Sequence, residues 1–160
     1  MAKIHALFEK VLTTVVATIV AALAAVVVVG VVFRKAGAAL VWYDEVAAIL
    51  LAWLTYYGAA LVALRRAHIG VPVLVERLQG GARTVAVVIG EAAVIGFFVV
   101  LAWAGLQVQA ALAGVPLVSL PSVPSALAQS VIPIGAVLFV IAQLLSMPDA
   151  LRGEAGSGDH

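Results

Sequence analysis

Residues 11–33 read VLTTVVATIVAALAAVVVVGVVF and carry no ionisable side chain. As a helix at ~1.5 Å per residue, these 23 positions reach about 35 Å, enough to cross the ~30 Å hydrocarbon core of a bilayer with some tilt. Lys3 and Lys10 precede the run, and Arg34 and Lys35 follow it. A basic start and an apolar run also describe a signal peptide. This run is too long for one, and it ends on a basic pair with no small-residue cleavage site beside it. It is therefore read as a retained membrane-spanning helix.

The rest of the chain repeats the pattern. Residues 46–64 form a second apolar run, opened by Trp42, Tyr43, Asp44 and Glu45 and closed by Arg65 and Arg66. An aromatic pair suits the headgroup level, and acids at a helix start suit the macrodipole. Residues 92–148 carry no charge at all, too long a stretch for one helix. Gly114, Pro116, Pro121 and Pro124 break it. That places the third span at about 85–110 and the fourth at about 125–145. Pro133 lies inside the fourth and is expected to kink it, freeing one backbone carbonyl.

The whole composition agrees. Of 160 residues, 65% are hydrophobic and 11% charged, with mean hydropathy +1.21. A soluble domain of this size cannot hide so much apolar surface. The predicted fold is an all-α integral membrane protein: one four-helix membrane domain over residues 1–152, with no room for a separate soluble domain. Residues 153–160, polar and Gly-rich, read as a disordered tail.

The basic residues predict orientation. Seven fall before span one, between spans two and three, or after span four; two fall between spans one and two, and none between spans three and four. The positive-inside rule then puts both termini and the central loop in the cytoplasm. Within that loop, Pro72 and Gly80 bracket Leu74, Val75 and Leu78 at helical spacing, which predicts a short amphipathic interfacial helix. Ile4, Leu7, Phe8 and Val11 predict another at the N-terminus. For both segments the alternative is a solvated turn.

Little in the chain can do chemistry. It has no cysteine, which removes disulfides, thiolate metal sites and thiol–disulfide catalysis. His5, His68 and His160 lie outside the spans, so no histidine pair is placed to hold haem between helices. No nucleophile–base pair stands out, and no cofactor or metal is expected. The net charge of +1 provides no field for nucleic acid. Asp44 and Glu45 are adjacent, about 100° apart on a helix, and read as a solvated helix start or a polar contact with a partner subunit.

Glu91 is the one carboxylate well inside a span, where a charge costs on the order of 2.5–3.5 kcal/mol. One reading couples it to proton or sodium movement. The other, favoured because coupling pathways use several polar groups, makes it a structural hydrogen-bond partner of Gln129, Gln143 or a span-two tyrosine. Small residues recur at helix-contact spacing: Ala17, Ala21 and Ala25; Ala48 and Ala52; Ala92 and Gly96.

An ordered set of residues carries a family resemblance. Arg34, Trp42-Tyr43-Asp44-Glu45, Trp53, Gly58-Ala59-Ala60, Arg65 and His68-Ile69-Gly70-Val71 occur in that order, followed by Leu120-Pro121 and Ile132-Pro133-Ile134-Gly135. The set resembles the small membrane subunit of tripartite ATP-independent periplasmic (TRAP) transporters, the DctQ type. Val71-Pro72 departs from it where members often carry a polar residue.

The resemblance implies a non-catalytic subunit in a bacterial inner membrane. It implies a large multi-span partner holding the sodium and substrate sites, and a periplasmic binding protein that delivers an organic anion. By family position, Trp42, Glu45, Trp53, Arg65 and His68 become candidates for subunit, lipid or docking contacts. Arg65 and His68 would act on the cytoplasmic side, Trp42 and Glu45 on the outer side. Two other functions remain open at this point: the small subunit of a tripartite tricarboxylate transporter, and a membrane anchor for a redox complex.

Overall fold

No glycine or proline interrupts residues 2–29, and the chain begins as one continuous helix, α1 (Ala2–Lys35). The computed structural model describes residues 2–65 and 81–152. It corrects the expectation of a separate N-terminal interfacial helix: with no breaker between them, the amphipathic start and the apolar run form one rod. Arg34 and Lys35 fill its last turn, where cations complement exposed carbonyls. Gly37 then takes a left-handed conformation at φ 79°. Its N–H donates to the Arg34 carbonyl at 3.3 Å, and the Ala38 N–H donates to the Phe33 carbonyl at 3.0 Å. This pair of bonds is the Schellman stop that a glycine at this position permits.

The second helix, α2 (Tyr43–Leu64), opens with Asp44 and Glu45 in its first turn. The third, α3 (Gly81–Ala111), ends near Gly114, which again takes a positive φ, 84°. The fourth span is divided into a short α4 (Ser125–Gln129) and α5 (Val131–Arg152). The interruption falls at Ser130, three residues before Pro133, rather than as a kink at the proline. Pro133 thereby occupies the first turn of α5, where a missing N–H costs no bond within that helix. Among the described residues, four helical segments are long and apolar enough to cross a membrane: His5–Lys35, Tyr43–Leu64, Val88–Ala111 and Ser125–Ser146. The predicted central-loop helix at 72–80, His68 and the tail at 153–160 lie outside the described residues.

The four spans do not close round a centre. α5 packs against both α2 and α3, and α1 packs against α2, giving an open row in the order α1, α2, α5, α3. Each close approach has a glycine. A Cβ on Gly30 would stand 2.3 Å from the Tyr43 ring (α1–α2). On Gly135 it would stand 2.6 Å from Cβ of Tyr56 (α2–α5), and on Gly105 2.7 Å from Ile132 (α3–α5). By contrast, the small residues expected to mark helix contacts are exposed: Ala17, Ala21, Ala25, Ala48, Ala52, Ala92 and Gly96 all face outward. Leu12, Ala60, Ala63, Leu64, Phe139 and Ala142 form the core, towards the side on which the chain begins. There Phe98 stacks on Phe139 with ring centroids 3.7 Å apart.

Candidate functional site

The marked residues run along α2, and most of their polar atoms are engaged inside the chain. At its start, Trp42 caps the helix through its backbone: its carbonyl accepts the Val46 N–H at 3.1 Å, and its side chain makes no capping bond. Its indole is half-buried. One turn on, the Glu45 carboxylate accepts the N–H of Val118 at 3.2 Å and of Ser119 at 2.8 Å, together with the Ser119 hydroxyl. Three donors converge on it, which suits an ionised, acceptor-only carboxylate.

What Glu45 holds is a hairpin. Pro116 and Pro124 form an isolated antiparallel bridge. The Leu117 N–H donates to the Val123 carbonyl at 2.9 Å, and the Ser125 N–H to the Val115 carbonyl at 2.8 Å. The Val123 N–H donates to the Leu120 carbonyl at 2.9 Å, closing a turn with Pro121 at its second position. Sequence reading marked this segment as a break and missed its tie to Glu45. The only signal available was an acid at a helix start, which has its own local explanation.

Eight residues further along α2, the Trp53 indole N–H donates to the Ala128 carbonyl at 3.1 Å. That carbonyl lies in the last turn of α4, where a helix leaves its acceptors without intrahelical donors. Trp53 also meets Tyr57 edge to face, with centroids 6.3 Å apart. Both aromatics line a groove of about 230 Å³ against α1, together with Thr14, Val15, Thr18 and Ile19. The threonine hydroxyls there donate to the Lys10 and Thr14 carbonyls of their own helix, so the groove presents an apolar wall.

At the far end of α2, Arg65 pairs with Glu9 at 2.8 Å and donates to the Thr13 hydroxyl at 3.2 Å. Both members of the ion pair are substantially exposed, so its contribution to stability is small. Glu45 and Arg65 stand about 30 Å apart along the helix. The marked residues therefore tie α2 to α1, α4 and the hairpin at separate levels and do not converge on one site. His68 lies beyond the described residues.

Glu91 is 8% exposed and accepts a hydrogen bond from the Gln143 side-chain amide, joining α3 to α5. Gln143 was one of the partners its sequence position proposed. The Ser146 hydroxyl donates to the Gln143 carbonyl at 3.1 Å, so three buried polar side chains adjoin here. Among the described residues, no group of three or more His, Asp or Glu side chains is placed to hold a metal ion.

Residues 23–153 match the family model described as "Tripartite ATP-independent periplasmic transporters, DctQ component". No curated protein matches the chain significantly. Four apolar helices, the ordered motifs and a match over most of the length converge: the chain belongs to the DctQ family, the small component of TRAP transporters.

Proposed function

We propose that this chain is a non-catalytic brace for a large, sodium-coupled membrane subunit that takes up an organic anion delivered by a periplasmic binding protein. The observation that carries this reading is the open row. Helices arranged α1, α2, α5, α3 do not surround a path across the membrane, and they leave long apolar faces available to lipid and to a second protein. The exposed stripes of Ala17, Ala21 and Ala25 and of Ala48 and Ala52 allow a partner helix to approach closely. The buried Glu91–Gln143 bond fits a structural tie between α3 and α5.

On this reading both termini face the cytoplasm of a bacterium whose inner membrane holds the complex. Trp42, Arg65 and His68 meet headgroups or the partner at the two membrane surfaces. Glu45 and Trp53 act indirectly, by holding the surface in shape.

The test is sodium-driven uptake in proteoliposomes containing the co-purifying large subunit and its binding protein, with and without this chain. Uptake should require the chain and should survive Glu91→Gln. Full uptake without the chain refutes the brace. Abolished uptake in a fully assembled Glu91→Gln complex moves ion coupling onto this subunit.

A further inference from the structure

We infer that the hairpin 115–124 is a lipid anchor, seated in the boundary between headgroups and acyl chains with Val115 and Val118 turned into phospholipid. This rests on the membrane-spanning fold and is independent of the partner assigned above.

Depth is the first observation. Two hydrogen bonds bracket the hairpin along α2: Trp53 to Ala128 just beyond its base, and Glu45 to Val118 and Ser119 near its tip. Trp53 and Glu45 are eight residues apart, about 12 Å along a helix. The hairpin thus rises from within the spans only to the level of the first turn of α2. A bilayer interface occupies this outermost zone of a span.

Backbone chemistry is the second. Lipid contact requires that N–H groups already have partners. In residues 115–125, Pro116, Pro121 and Pro124 have no N–H to satisfy. The N–H groups of Val115, Leu117, Val118, Ser119, Val123 and Ser125 donate to protein acceptors, and those of Leu120 and Ser122, at the turn, do not. The two arms of the hairpin can leave water with little loss, while its turn stays at the level where headgroups and water can serve the two remaining donors.

Side-chain chemistry is the third. The hairpin has no ionisable residue. Leu117 turns inward, Val118 is 93% exposed, and Val115 is also exposed. Val41, 81% exposed, adds a further apolar side chain at the same side of the row. Trp42 and Tyr43 belong to that level, as aromatic residues do at headgroup depth. Arg34 and Lys35 end α1 on the same side and supply cations for phosphates. A docking site for a soluble protein normally carries a polar rim; this surface lacks charge where it is most exposed.

The absence of cysteine makes the test direct, because Val118→Cys or Val115→Cys introduces the only thiol of this chain, and the complex with the unaltered chain, labelled in parallel, gives the background from other subunits. Both positions are exposed, so neither change disturbs packing. Each variant is labelled with the fluorophore NBD in nanodiscs of phosphatidylethanolamine and phosphatidylglycerol, in the complex in which the chain is isolated. Nitroxide-labelled lipid should quench most of the emission, and aqueous dithionite should bleach the label far more slowly than labelled free cysteine. Bleaching as fast as free labelled cysteine, without lipid quenching, overturns the anchor. Protection that appears only when a binding protein is added also overturns it, and makes the hairpin a protein-docking surface.

Discussion

The Glu45 carboxylate changes the meaning of a residue that its position explains only in part. An acid in a first helical turn needs no tertiary partner, because the helix dipole already favours it. Here it also organises a hairpin more than 70 residues away. Glu45→Gln keeps the shape but replaces one acceptor oxygen with an NH2 donor that faces other donors. Hydrogen exchange at Val118 and Ser119 should accelerate several-fold, while amides in the core of α5 keep their protection. Arg65 is the opposite case. Its pair with Glu9 is exposed, so Arg65→Ala should change unfolding free energy by less than about 1 kcal/mol. A loss of partner in pull-down at that small stability cost would place Arg65 in a subunit contact.

At the scale of elements, three glycines mark tight helix approaches, beside the buried Ala60, Ala63, Ala136 and Ala142. Gly105 is the strictest position. An added Cβ would meet Cδ of Pro133 at 2.9 Å and its backbone nitrogen at 3.0 Å, and a proline ring cannot rotate away. Gly105→Ala should therefore cost about 1–3 kcal/mol by overpacking, read from denaturant unfolding in detergent micelles. Gly96→Ala on the same helix meets nothing within 4 Å. That change should be neutral or stabilise by about 0.5–1 kcal/mol through helix propensity. A loss at Gly96 equal to that at Gly105 would show that the outward face of α3 is packed against a partner. The break at Ser130 belongs to this scale too. It lets Pro133 sit in a first turn and leaves the end of α4 with carbonyls that the Trp53 indole can serve.

For the whole molecule, the open row and the charge distribution make separate statements. The row says how the helices pack; the basic residues predict which way they point. Single-cysteine variants test the second. Ala39→Cys, in the exposed connection between α1 and α2, should react with a membrane-impermeant maleimide added to spheroplasts. Lys3→Cys should react only after the membrane is opened. The reverse pattern would invert the topology that the seven-to-two distribution of basic residues predicts.

Hydropathy and punctuation were sufficient for the membrane class, the number of spans, the break at Gly114, and a shortlist for Glu91 that contained Gln143. These are legible because crossing hydrocarbon requires a minimum apolar length and satisfied backbone, and both are written locally. The packing faces were not legible. In a soluble helix the buried stripe is the apolar one, but here lipid is as apolar as a protein interior, so every face carries the same signal. The alanine stripes singled out at contact spacing therefore pointed outward, while Gly30, Gly105 and Gly135 and a different set of alanines, Ala60, Ala63 and Ala142, made the contacts. Long-range polar ties were equally hidden, since Glu45, Trp53 and Arg65 each meet a partner more than 50 residues away. The sequence by itself determined that the chain has four helices able to cross a membrane and roughly where the apolar spans lie. Only the tertiary structure decided which faces meet and what holds the hairpin, because those choices depend on shape and hydrogen-bond geometry rather than on transfer from water.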